Sequence, residues 1–299
     1  MVYGVMNSMN ARYFDVDNFL ITAKDIRGPW SEPVYLHSSG FDASLFHDDD
    51  GRKYVVALEW ETREGYEKPG AICMVEYDPQ KREIIGYPKR IWNGGTDRGC
   101  IEAPHLTKRN GYYYIMCAEG GTGYNHCVTM GRSEHVWGPY ERDPENPILT
   151  YVPGESYERH NPDHLKPKYY NPASVLQKSG HGSYVETPDG EVYMVFHTSR
   201  PFVPELCCTL GRETAIQKMI WTGDGWLRSA SGSNMAQEET PESSLPECPL
   251  PRIPDFDDFD SGELGSWYYA PPDHASEICG CEGPSGLGAP PGPGVQDVP

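Results

Sequence analysis

One phrase, repeated three times, constrains this chain more than anything else in it. Phe41-Asp42-Ala43-Ser44-Leu45-Phe46 leads through Asp48-Asp49-Asp50-Gly51 into the apolar-rich run 52–58. Ile101-Glu102-Ala103-Pro104-His105-Leu106 leads through Asn110-Gly111 into 112–116, and Gly180-His181-Gly182-Ser183-Tyr184-Val185 through Asp189-Gly190 into 191–196. Asp-Gly and Asn-Gly between apolar runs are the strongest short-range hairpin signal. Asp42, Glu102 and His181 each lie nine residues before the turn glycine, and a tyrosine (Tyr54, Tyr114, Tyr193) follows that glycine by three. A second phrase repeats as well: Gly28-Pro29-Trp30 closes one unit and Gly138-Pro139-Tyr140 another. The units recur at 60 and 79 residues, the longer gap holding a polar insert at 151–170. Hairpin units of this size, each with a polar residue at one register position, predict an all-β fold whose units are blades of a β-propeller. The starts of the innermost strands then converge on one axis, and a plain sandwich gives no reason for the matched offset.

Charge narrows the partners. The chain has 44 acidic and 25 basic residues among 299, a net charge of −19, so nucleic acid and anionic membrane surfaces are not expected partners. No apolar run reaches the 18 or so residues that span a bilayer, and the first 13 residues show no signal-peptide pattern. Nine scattered cysteines without a Cys-x-x-Cys pair read as reduced, mostly buried thiols, not a zinc ribbon or redox centre. The expected location is the cytoplasm, with secretion left open because an N-terminal truncation would also remove a signal peptide.

Four segments are expected: a partial propeller at 1–228, a Ser/Glu/Pro-rich linker or irregular connection at 229–254, the start of a second β-domain at 255–281, and a disordered tail at 282–299, where ten of eighteen residues are Gly or Pro. Two carboxylates, Asp42 and Glu102, delivered to one aromatic-lined funnel fit glycosidic bond cleavage. That chemistry needs an acid for the leaving oxygen and a carboxylate to activate water or attack the anomeric carbon. The bland alternative is that both acids cap turns or pair with a basic neighbour, and that His181 is a satisfied core histidine. Three other patterns carry no site. Pro162 disfavours the helix that would align His160 and His164 on zinc. Asp48 to Gly51 lacks the further ligands of a calcium loop, and Gly120-Gly121-Thr122-Gly123 lacks the Lys-Ser/Thr ending of a phosphate loop.

Six ordered motifs together resemble the family 43 glycoside hydrolases: Asp17-Asn18-Phe19-Leu20-Ile21-Thr22-Ala23 with Gly28-Pro29-Trp30-Ser31; Phe41-Asp42-x-Ser44-Leu45-Phe46; Glu102-Ala103-Pro104-His105-Leu106; 118–124; Gly180-His181-Gly182-Ser183; and 210–215. The branch the chain most resembles is that of β-xylosidases and α-L-arabinofuranosidases, inverting enzymes on a five-bladed propeller. The resemblance runs over about 15–228, and 255–279 resembles the opening of the concanavalin-like β-sandwich that follows the propeller. It implies Glu102 as general acid, Asp42 as the carboxylate that tunes and orients that acid, Arg212 as a substrate-binding arginine, and His181 beside an axial water or water-mediated calcium ion. Phe41, Trp60 and Thr122 are implied at the sugar pocket. The implied substrate is a xylan-type oligosaccharide, and no cofactor is required, though a structural calcium ion could sit at the propeller axis.

The sequence departs from that pattern in two phrases. No Pro-Asp-Pro-Ser-like phrase, which carries the family's general base, precedes Phe41, and the Trp-Ala-Pro phrase of the second blade does not occur. The expectation is a propeller lacking its first blade and part of the second, with three functional readings: a glycoside hydrolase, a sugar-binding remnant without turnover, or a gene-model fragment. Oligomeric state is not legible.

Overall fold

The computed structural model describes residues 1–8, 15–59, 70–151, 170–208, 211–249, 252 and 256. Among these no residue is helical. They form four antiparallel sheets in a propeller-like arrangement. The first sheet holds β1 (Val2–Ser8), β2 (Asp15–Leu20) and β3 (Val34–His37), in that order. The second runs β4 (Ser44–His47), β5 (Lys53–Glu59), β6 (Ala71–Asp78) and β7 (Glu83–Trp92). The third runs β8 (Glu102–Arg109), β9 (Tyr112–Glu119), β10 (Cys127–Ser133) and β11 (Glu141–Arg142). The fourth runs β12 (Gln177–Glu186), β13 (Val192–Ser199), β14 (Glu213–Trp221) and β15 (Leu227–Ser229).

The sheets stack in chain order, each interface filled by one apolar cluster. Leu20, Leu36, Val55 and Val75 join the first sheet to the second. Phe46, Tyr54, Leu58, Ile72, Ile115 and Cys117 join the second to the third. Met116, Met130, Met194, Phe196 and Trp226 join the third to the fourth. All three repeat tyrosines are buried, which is why they recur: each anchors the second strand of its hairpin. Strands β4, β8 and β12 are innermost, and β8 touches both β4 and β12. Ser44 Oγ donates to the Pro104 carbonyl, and Thr107 Oγ1 bonds Tyr184 Oη at 2.8 Å, so the inner strands are also tied by side chains.

The three turns are of two kinds. Asn110 and Gly111 both have positive φ, 50° and 84°, which makes a two-residue primed turn. The other two loops hold three residues, closed by the Asp48 N–H to Arg52 carbonyl and Thr187 N–H to Glu191 carbonyl bonds at 2.9 and 2.8 Å, with Gly51 and Gly190 at positive φ. The Asp48 carboxylate accepts from Lys108 Nζ and Tyr113 Oη, both at 2.8 Å, across to the next sheet.

Two compact units are distinguished, Met1–Ser244 and Leu245–Pro299. The stretch expected as linker divides between them. Residues 230–244 are largely irregular but bonded to the fourth sheet, Thr240 Oγ1 accepting from Lys218 N–H and Ser244 Oγ donating to Asp189 and Glu191. Apart from Phe256, the expected sandwich at 255–281 and the tail at 282–299 lie outside the described residues, as do Trp60 and the 160–164 histidine pair. Of the described cysteines, Cys73, Cys117 and Cys127 are buried, whereas Cys207 and Cys248 are exposed, so burial is less general than expected.

Candidate active site

Each innermost strand opens on the same backbone irregularity. In the third sheet Glu102 pairs with Ala118 but His105 with Met116, and in the fourth Gly180 pairs with His197 but Ser183 with Val195. Three residues thus oppose two, a β-bulge. The second sheet repeats it, since Leu58 N–H donates to the Phe41 carbonyl at 3.1 Å while Ser44 pairs with Val56. In every bulge one residue takes positive φ: Asp42 at 54°, Ala103 at 51° and His181 at 52°. A bulge bends its strand and re-aims the side chains in it, which here turns them towards the axis.

This corrects the register argument by one residue. The bulge aligns Asp42 and His181 with Ala103, not with Glu102, because the middle hairpin has the two-residue turn and counting back from its glycine overshoots. Glu102 still reaches the same place from the preceding position. Ala103 N–H donates to Asp42 Oδ2 at 3.2 Å, so the first carboxylate is bonded to the peptide that follows the second. Asn18, buried on β2 and part of the first recognised motif, fixes the entry to β4: its amide donates to the His37 and Gly40 carbonyls at 3.0 and 2.7 Å.

The electrostatics follow from this crowding. Burial, then the Asp42 charge, push the Glu102 carboxyl up to about 7, with Arg212 opposing. Burial also raises Asp42, against the Ala103 N–H and Arg212. Arg212, exposed just before β14, is the common cation; its charge acts on both carboxyls and on His126, His181 and His197. Of the expected site residues, Asp42, Glu102, His181 and Arg212 are therefore brought together. Phe41 is half-buried against the second apolar cluster, and Thr122 lies exposed in the turn after β9.

Sequence reasoning missed three histidines. His126 is completely buried, its Nδ1–H donating to the Lys178 carbonyl at 3.0 Å. Its ring meets that of His181 edge-on at 6.5 Å, and His197 stacks on His181 at 5.1 Å. His105 adds its charge to the forces holding His181 neutral, down to about 4, after burial and His197. Burial takes His126 lower still, to about 3. The signal that could have found His126 is Gly180: a Cβ there would lie 2.5 Å from His126 Cγ, so the glycine exists to admit the ring.

Ligand atoms of Glu102, His126 and His181 all lie within 4.8 Å of one another, and Glu102 Oε1 and His126 Nε2 have no hydrogen-bond partner. Such a trio could hold a cation. Calcium prefers six to eight oxygens, and two of these three groups offer imidazole nitrogens, so direct calcium ligation fits them poorly while a water-mediated contact fits. Chemically, the cluster can hold one protonated carboxyl beside a second carboxyl, with neutral imidazoles and one guanidinium to bind hydroxyl groups.

Comparison with known proteins agrees on one family. The model of "Glycosyl hydrolases family 43" matches residues 1–227. The "Xylosidase/arabinosidase 43B" of Humicola insolens is 44% identical over 232 residues, covering 78% of this chain and 40% of that protein. A Bacillus subtilis "Beta-xylosidase" is 39% identical over 270 residues, covering 86% of this chain and 47% of that protein. The crystal structure of a xylan beta-1,4-xylosidase from Bacillus halodurans C-125 superposes with a TM-score of 0.78 at 44% identity, covering 88% of this chain and 47% of that one. The chain thus spans less than half the length of these relatives.

Proposed function

Because the chain belongs to the family 43 glycosyl hydrolases, we propose that its site serves hydrolysis of xylosyl or arabinosyl linkages in xylan-type oligosaccharides. The observation that carries this reading is the convergence of Asp42 and Glu102 at the bulged starts of adjacent inner strands, within reach of the Arg212 charge. Glu102 is the general acid. Burial and the neighbouring Asp42 keep it protonated near neutral pH, so it can give its proton to the departing oxygen. Asp42 holds Glu102 in that state and is itself held by the Ala103 N–H. Arg212 and His181 bind sugar hydroxyls, and Phe41, Trp60 and Thr122 line the pocket. In the inverting arrangement of the family a further carboxylate activates water on the opposite face of the sugar, and the two carboxyls stand far enough apart to admit it. No cofactor enters the reaction; calcium, if bound, sits near His181 through water. A fifth blade and a following sandwich complete the arrangement in this proposal.

One observation favours a second reading, sugar binding without turnover. Among the described residues, the charges that act on Glu102 are those of Asp42 and Arg212, with no third carboxylate.

The experiment is pentose release from xylobiose and from nitrophenyl xyloside and arabinofuranoside, by this chain alone and extended with the residues that precede the matched region in a relative. Activity should fall above about pH 7, as Glu102 loses its proton. Glu102→Gln should lower turnover of xylobiose by roughly 10²–10⁴-fold and spare the nitrophenyl glycosides, whose leaving group needs no proton. Equal loss on both substrates removes Glu102 from the acid role. Saturable binding of xylobiose that is lost in Arg212→Ala, with no release from either form, selects the binding reading; neither binding nor release overturns both.

A further inference from the structure

The catalytic cluster occupies one end of the blades, and a cavity of about 220 Å³ lies at the other. Glu102 opens β8, and Lys108 stands six residues along it, reaching across to Asp48 beside the first turn. Six rises of about 3.3 Å put roughly 20 Å between the two ends. The cavity sits where the second and third sheets meet, among the turn 48–52, Tyr54, Tyr113 and the segment 134–137 that follows β10.

Two observations mark it as a place for a ligand. Trp137 stands at its edge, packed edge-on against Tyr54 at 5.7 Å with Lys89 Nζ over its ring at 5.3 Å, yet 36% exposed. An aromatic ring held in place with part of its surface open is a platform for the apolar face of a ligand. Tyr54 is fully buried in the wall, and its hydroxyl has no hydrogen-bond partner among the described residues. A buried polar group without a partner costs free energy, which a bound hydroxyl recovers. Arg52, whose charge acts on that hydroxyl, is exposed and held at the rim by Asp50 at 2.9 Å.

The lining also says what does not belong there. Of its three carboxylates, Asp48 is taken up by Lys108 and Tyr113 and Asp50 by Arg52, which leaves Glu134, too few oxygens for a hard cation. An anion would meet those carboxylates on a chain of net charge −19. What fits is a neutral ring with an apolar face for the indole and hydroxyl groups that donate to Glu134 and accept from Arg52. A sugar has that chemistry, and the cavity has room for one ring.

We propose that this cavity is a second sugar site, which holds one xylosyl unit of the substrate polymer remote from the catalytic cluster. The identity of the sugar rests on the function proposed above; the site itself rests on Trp137, Tyr54 and the polar rim. A disaccharide cannot span the roughly 20 Å between the two sites, so short sugars fill them independently, while a long chain held at the second has a raised local concentration at the first.

The test is affinity electrophoresis of the full chain in gels with and without soluble xylan, beside release of nitrophenol from nitrophenyl xyloside. The Arg212→Ala chain, weakened at the catalytic cluster, should still be retarded by xylan, and dextran should not retard it. Adding Trp137→Ala should lower the affinity read from the retardation by about tenfold or more, the loss expected of a tryptophan anchor. Arg52→Ala, at the exposed rim, should weaken it severalfold with an unchanged melting temperature, and it decides the matter should the Trp137 variant fail to fold. No retardation of the Arg212→Ala chain overturns the proposal. So does retardation indifferent to both rim substitutions, or equal retardation by dextran. Nitrophenol release without Trp137-dependent retardation refutes this site and leaves the hydrolase reading standing; Trp137-dependent retardation without release keeps the site and counts against turnover.

Discussion

Gly180→Ala tests the packing that holds the histidines at the axis. The added Cβ would lie 2.5, 2.6 and 2.7 Å from Cγ, Cδ2 and Nδ1 of His126. Ordinary carbon contacts lie near 3.5–4.0 Å, so the ring must retreat by roughly an ångström. It has no free space to do so, being completely buried and bonded through Nδ1 to the Lys178 carbonyl. Overpacking of this kind costs about 1–3 kcal/mol, and loss of the Lys178 bond about 0.5–1.5 more. The expected destabilisation is about 2–4 kcal/mol. A built-in control is Gly111→Ala in the two-residue turn, where φ is 84° and no atom lies within 4 Å of the new Cβ. That change should cost only the backbone penalty, about 1–2 kcal/mol. Urea unfolding followed by circular dichroism reads both. The double variant Gly180→Ala with His126→Ala should recover part of the loss, because the clash disappears with the ring. Gly180→Ala within about 0.5 kcal/mol of the parent, or strict additivity in the double variant, would refute the reasoning.

Two more outcomes follow from buried charge. Burial holds His37 near 4 and His126 near 3, below the 6.5 of an unfolded chain, so the unfolded state gains protons first as pH falls. Stability from these two groups is present above about pH 6.5 and is lost through the window down to 4 or 3, roughly 2 kcal/mol each by pH 5. The raised carboxyls of Glu102 and Asp42 act the other way over that range, so the full loss should show in the double variant Glu102→Gln with Asp42→Asn; an unchanged urea midpoint between pH 7 and 5 there would contradict it. Glu119 is buried at the end of β9 and accepts from the Gly95 and Thr96 N–H groups and from the Thr96 and Thr129 hydroxyls. Glu119→Gln turns an amide NH₂ towards those donors and should cost about 2–3 kcal/mol by thermal or urea unfolding, where a loss under about 0.5 would mean the contacts are not as drawn.

Hairpins are local, and the residues that make them are local, so the three repeated turns and their flanking strands were legible without coordinates. The same holds for the buried repeat tyrosines. Asp42, Glu102 and His181 were legible from their matched offset, which left a catalytic reading and a turn-cap or core reading both open; the roles of the set, and Arg212 altogether, came from motifs that match a known family. Spacing also misaligned Glu102 by one, since nothing in Asn110-Gly111 as a string says that its loop is a residue shorter than the other two. His105, His126 and His197 were not found at all. Each reaches the axis through a packing relation: His197 by pairing across a bulge from Gly180, His126 by filling the space that Gly180 leaves, and His105 by standing close enough to His181 for its charge to be felt.

The linear order of residues by itself determined that this chain would be built of hairpins on one repeating plan, because turn chemistry and alternation act over a few neighbours. Tertiary structure decided which atoms meet. A bulge shifts a strand by one residue and rotates the side chains in it, and a burial-raised carboxyl exists only once other sheets have closed over it. The bulge depends on how a strand pairs with its neighbour, as Glu102 does with Ala118, and the raised carboxyl on contacts from another sheet, such as Ala103 with Asp42, and no local pattern encodes either.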